Sequence, residues 1–180
     1  MVAIDAAANA SDPSNTATAT TPSGPTVITL SPDADAKVTA SAPSTNYATA
    51  NLRTDGGTNP IVDSFLRFTV TGVTPGTVQN AKLRIHSTSN GTVDGPAVYT
   101  SGTSWSETTI NWNNRPARTS AATDDKGAIA GETWVEYNVT PFVTGTGTYS
   151  FNLATSSSDG VDIYSREAAS FRPELVLTIG

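Results

Sequence analysis

The sequence predicts an all-β fold, an antiparallel β-sandwich of about ten short strands. Two segments alternate strictly between apolar and polar residues. Turn residues recur at short intervals between apolar runs, and no long segment carries a helical period.

The elements follow in chain order. TVITL, from Thr26, is a β-branched run and the first strand. AKVTAS follows after the turn SPDAD. In SFLRFTV, Leu66, Phe68 and Val70 share one face, and Phe65, Arg67 and Thr69 the other. In AKLRIHS, Ala81, Leu83 and Ile85 share one face, and Lys82, Arg84 and His86 the other. TGVTPGTVQN between them is Gly/Pro turn material. Further strands are expected at GPAVYT, TWVEYNV, TYSFNLAT, VDIYS and ELVLTI, with one helical turn at TPFVTG.

TSWSETTINWNNRP, Thr103 to Pro116, holds two of the three tryptophans. Ser104 and Glu107 fit a capping box, which predicts a single helical turn carrying Trp105. TINW reads as a strand, so Ile110 and Trp112 point together into the core. NNRP reads as a turn, because Pro116 disfavours helix in the residue before it. Packing is the favoured reading for Trp105 too, with a ligand contact as its alternative.

The chain has 180 residues, enough for one domain with a proper core. Residues 5–25 are Ala, Ser, Thr, Pro and Asn with little to bury, so residues 1–25 read as a flexible linker and 26–180 as the domain. Charged residues are only 14% and the net charge is -6, with no Lys/Arg run. That balance argues against nucleic acid and anionic membranes as partners. No apolar run reaches the length of a membrane span. The absence of cysteine excludes disulfides, thiolate chemistry and Cys-based zinc sites. The Thr/Ser-rich, weakly charged composition fits a secreted bacterial protein. MVAIDAAANA lacks the regions of a signal peptide, so the expectation is a monomeric piece of a longer multidomain chain.

A resemblance is carried by STNYATANLRTD, SFLRFTVTGVTPGTVQNAKLRIHS, WSETTINWNNRP, WVEYNVTPFV and VDIYSREAASFRPELVLTI, in that order. From about Pro32 to Gly180 the chain resembles the DNRLRE-type domain, which overlaps carbohydrate-binding module family 96. The resemblance implies a sandwich attached to secreted polysaccharide-degrading enzymes or cell-surface proteins. The architecture expected is jelly-roll-like and galactose-binding-like. It also implies sugar binding, notably of acidic polysaccharides such as alginate.

The residues themselves add a candidate site. Arg53, Arg67, Lys82, Arg84 and Arg166 fall on outward strand positions, and His86 and Tyr164 join them. If the strands are neighbours, they form one cationic face. Arg matches planar carboxylates with a bidentate fork. Tyr47, Tyr99 and Tyr164 are candidates to stack on sugar rings. The ligand expected is an anionic chain, uronate or sulfated. The alternative is that these cations pair across strands with Asp55, Asp63, Asp162 and Glu167. Asp33 and Asp35 are the candidate ligands of a structural calcium, with Asp124, Asp125, Asp159 and Asp162 as other loop oxygens, although no EF-hand loop is present.

No catalytic residue is assigned, and no cofactor is required. With His86 as the only histidine and no Gly-x-Ser-x-Gly elbow, a serine triad has no support. Three functions stay open: a non-catalytic carbohydrate-binding module, a structural or adhesive spacer of a surface protein, and a small polysaccharide lyase using Tyr, His and Arg.

Overall fold

Alternating apolar and polar side chains build the two longest strands, and their apolar faces meet across one core. The computed structural model describes residues 2–12, 24–58 and 60–180. The strands are β1 Thr26–Leu30, β2 Ala34–Thr39, β3 Leu52–Thr54, β4 Val62–Val70 and β5 Val78–His86. They continue as β6 Ala97–Thr100, β7 Trp134–Asn138, β8 Gly147–Ala154, β9 Val161–Ile163 and β10 Glu174–Ile179. No helix forms among the described residues. Of the segment read as a linker, residues 1 and 13–23 lie outside the described residues.

The strands form two four-stranded antiparallel sheets, β1-β10-β5-β7 and β2-β4-β8-β6, plus the pair β3-β9. Leu66, Phe68 and Val70 of β4 and Ala81, Leu83 and Ile85 of β5 are all buried in one cluster with Phe151, Leu175 and Leu177. Both four-stranded sheets line that cluster, so this is a sandwich, with the core between its layers.

β4 and β5 are consecutive in sequence but belong to different sheets. Since each turns its apolar face inward, their polar faces point away from one another. The expectation of one cationic face across Arg67, Lys82 and Arg84 is therefore corrected: Arg67 lies on the outer face of one sheet, Lys82 and Arg84 on that of the other.

The second sheet is buried on its outer face as well. Ala36, Val38 and Phe65 form a satellite cluster with Ile110, and Trp105 and Trp112 pack partly buried against it. The segment carrying these tryptophans roofs the sheet, but TINW is not a strand. A turn begins at Ser106, whose carbonyl accepts the amides of Thr109 and Ile110. It starts later than the predicted cap at Ser104. Glu107 does not close a capping box; its carboxylate accepts the backbone amide of Asp35 instead, at 2.8 Å. Asn111 then organises the next turn. Its Oδ1 accepts the amides of Asn113 and Asn114, and its own amide donates to Asn114 Oδ1. TPFVTG forms a turn in which the Phe142 amide donates to the Val139 carbonyl, not a helical segment.

Candidate functional site

The cations expected outward are outward, and they are paired. Arg53 of β3 stands opposite Asp162 of β9 and bonds to it at 3.1 Å and to Asp55 at 2.9 Å. Arg67 bonds to Asp33 at 2.7 Å. Arg84 sits in register between Glu136 of β7 and Glu174 of β10, and pairs with both at 3.1 and 2.6 Å. Lys82 shares Glu136 at 2.6 Å, and Arg166 takes Glu107 and Glu167 at 2.9 and 3.0 Å. Tyr47 lies under the Lys37 ammonium, near 5.6 Å. Each exposed pair contributes little to stability. Together they withdraw these cations from a free ligand.

Four candidates do meet. Lys82, Arg84, His86 and Tyr164 lie together at the β5–β7 face, with two aromatics that sequence reasoning missed. His86 is opposite Trp134 in register, and its ring stacks on Phe171 with centroids 4.2 Å apart. Tyr164 packs against His86, and the Arg84 guanidinium lies 4.5 Å over Trp134. Phe171 is 46% exposed and has a φ of 61°, a conformation that a bulky residue adopts only under constraint. His86 is buried, and its Nδ1 is 2.7 Å from the Ser87 carbonyl.

A concavity lies on the other side of the sandwich, over the outer face of β4 and β8. It is a groove of about 610 Å3 between the strands and the roof. Asp63 and Phe65 of β4 and Asn152 of β8 form its floor; Trp112, Arg115 and Arg118 form its wall. The Arg115 guanidinium carbon lies over Trp112, 3.6 Å from the ring centre, and the guanidinium donates to the Trp112 carbonyl. Arg118 lies 4.2 Å over Tyr99 of β6, donates to Asn152 at 2.6 Å and pairs with Asp63 at 3.3 Å. Burial pushes the Asp63 carboxyl above the usual range, and the Arg118 and Arg115 charges partly pull it back. Among the described residues Arg115 has no carboxylate partner, and donors on both guanidinia stay unused.

Trp105 thus keeps the packing role favoured for it, while Trp112 departs from the core position expected of it. Trp105 is pinned: its indole N–H donates to Ser150 at 2.9 Å, its ring meets Phe65 edge-on at 6.3 Å, and Arg67 lies 5.2 Å over it. Trp112 is no core plug. It leaves the alternation because Asn111 turns the chain, so its ring becomes part of the groove wall. The signal for the site was present in NNRPAR, where two arginines follow a tryptophan. Reading that segment as a plain turn hid it.

Behind the roof, Asp33 and Asp35 diverge, correcting their pairing as ligands of one ion. Asp33 accepts from Arg67 and Thr69 on the outer face. Asp35 is fully buried and accepts the Arg166 amide at 2.7 Å through Oδ2, while its Oδ1 has no hydrogen-bond partner among the described residues. Its carboxyl is pushed up to about 7, first by burial and then by the Glu167 and Glu107 charges, against the opposing Arg166 amide. Carboxylate oxygens of Asp35, Glu107 and Glu167 lie within 4.8 Å of one another.

An aromatic-walled groove with free guanidinium donors is a surface suited to binding, and no helix among the described residues is long and apolar enough to cross a membrane. Comparison with curated proteins finds no match. A family model matches residues 26–179, almost the whole span from β1 to β10. The chain belongs to carbohydrate-binding module family 96.

Proposed function

We propose that this carbohydrate-binding module binds an acidic polysaccharide, of uronate type such as alginate, in the groove walled by Trp112, Arg115 and Arg118. On this reading the module is non-catalytic, monomeric and secreted. The observation that carries the reading is Arg115. It is a guanidinium laid on an aromatic ring at the wall of the groove, with no carboxylate to satisfy it among the described residues. A sugar carboxylate supplies the missing partner through a bidentate contact. Trp112 offers apolar surface to a pyranose ring beside it.

Affinity electrophoresis tests this. Retardation is expected in gels containing alginate or pectate and not in a neutral glucan gel, with weakening at high salt. Arg115→Ala should lower affinity about tenfold or more, since a charge-assisted hydrogen bond is worth about 1.5–3 kcal/mol. No retardation in any acidic glycan, or equal retardation in neutral glucan, overturns the proposal.

A second reading, a structural or adhesive spacer, is favoured by the pairing of Arg53, Arg67, Lys82, Arg84 and Arg166 with carboxylates. It predicts no glycan retardation at all. A lyase reading predicts ultraviolet absorbance from unsaturated uronate on incubation with alginate. Its residues would be His86, Tyr164 and Arg84, of which His86 and Tyr164 are in contact. The proposed module yields none.

A further inference from the structure

We infer that Asp35, Glu107 and Glu167 form a calcium site that ties the groove roof to the sandwich. The three carboxylates come from separate parts of the chain: β2, the turn after Trp105, and the segment after β9. Nothing in their sequence spacing brings them together; the fold does. Asp35 supplies the second observation. It is fully buried, yet among the described residues its Oδ1 accepts no hydrogen bond. An unpaired carboxylate oxygen in such a place is costly unless something binds it.

Spacing and charge both suit calcium. Calcium takes oxygens at about 2.3–2.6 Å, so ligands across it stand up to about 5 Å apart. The oxygens here lie within 4.8 Å of one another. Arg166 bridges Glu107 and Glu167. Glu107 and Glu167 outnumber the one guanidinium between them, so the cluster favours an added cation. Waters and backbone carbonyls complete the coordination calcium needs. Bound there, the ion fixes Glu107. That residue lies in the turn leading to Asn111 and Trp112, and Asn46 already holds this turn through the Glu107 and Ile110 carbonyls.

The test uses calcium itself on the full chain, after removal of divalent ions with chelator. Calorimetric titration should show one saturable site, with magnesium binding more weakly. The unfolding midpoint should rise with calcium. Terbium should bind with luminescence excited through Trp105, and calcium should displace it. Glu167→Gln, at an exposed residue that the core does not need, should weaken calcium about tenfold or more. Asp33→Asn should leave calcium affinity unchanged, since Asp33 serves Arg67 and Thr69. A protein with no calcium-dependent heat, luminescence or midpoint shift at millimolar ion overturns the site. So does equal loss in Asp33→Asn and Glu167→Gln, which would mean diffuse surface binding.

Discussion

Replacing each roof tryptophan by alanine separates packing from recognition. Trp→Ala in a core costs about 3–5 kcal/mol. Trp105 is only partly buried, which lowers that figure, but its indole bond to Ser150 adds about 1 kcal/mol and its edge contact with Phe65 about 0.5–1.5 kcal/mol. A loss of about 3 kcal/mol follows. The Trp112 indole makes no such bond among the described residues, and one face carries Arg115 instead of core. Its loss should cost about 1–2 kcal/mol. In a domain this size 1 kcal/mol moves Tm by about 2–4 °C, so Trp105→Ala should fall by about 6–12 °C and Trp112→Ala by about half that or less. Thermal unfolding gives the first comparison, and retardation in an alginate gel gives the second. Trp112→Ala should lose retardation while folded. If Trp112→Ala is the more destabilised variant, or keeps full affinity, the assignment of the two rings is wrong.

Other perturbations follow from the same geometry. Tyr137 is buried in the core, its hydroxyl has no hydrogen-bond partner among the described residues, and burial raises its pKa well above the ordinary phenol range. Tyr137→Phe should therefore stabilise the domain by about 1–3 kcal/mol, measured by urea unfolding; a loss of stability would show that the hydroxyl is satisfied. Asp63 has a raised native pKa, so the native state holds its proton more tightly than the unfolded chain. Its contribution falls as pH rises from about 4 through that raised value, so Asp63→Asn should gain stability relative to the parent over that window. A difference that is flat in pH, or of opposite slope, contradicts this. Lys82→Ala with Arg84→Ala should leave alginate affinity unchanged, because both cations are held by Glu136 and Glu174; a loss comparable to Arg115→Ala would move the site to the β5–β7 face.

The strands were legible because alternation reports burial directly: Leu66, Phe68 and Val70 cannot face water together, nor can Ala81, Leu83 and Ile85. Which strands become neighbours was not, because alternation says which side faces the core but not which sheet a strand joins. A turn joins β4 to β5, as a hairpin would, yet it crosses between sheets, and the imagined Arg67–Arg84 face vanished with that crossing. The alternative of cross-strand pairing was readable in the carboxylates, and Asp55, Asp63, Asp162 and Glu167 all do bond to arginine. The groove was hidden because the Asn111 side chain accepts the backbone amides of Asn113 and Asn114, so strand periodicity carried past it misplaced Trp112. The Asp35–Glu107–Glu167 cluster was out of reach for a simpler reason: its members are distant in sequence and meet only once the sandwich closes.

The central claim is tested most directly by titrating the isotope-labelled protein with a short oligouronate and following its backbone and indole resonances. The account predicts that shifts concentrate at Trp112, Arg115, Arg118, Asp63 and Asn152, the residues of the groove. Shifts gathered instead at Trp134, Tyr164 and Phe171, or absent altogether at saturating oligosaccharide, would contradict it.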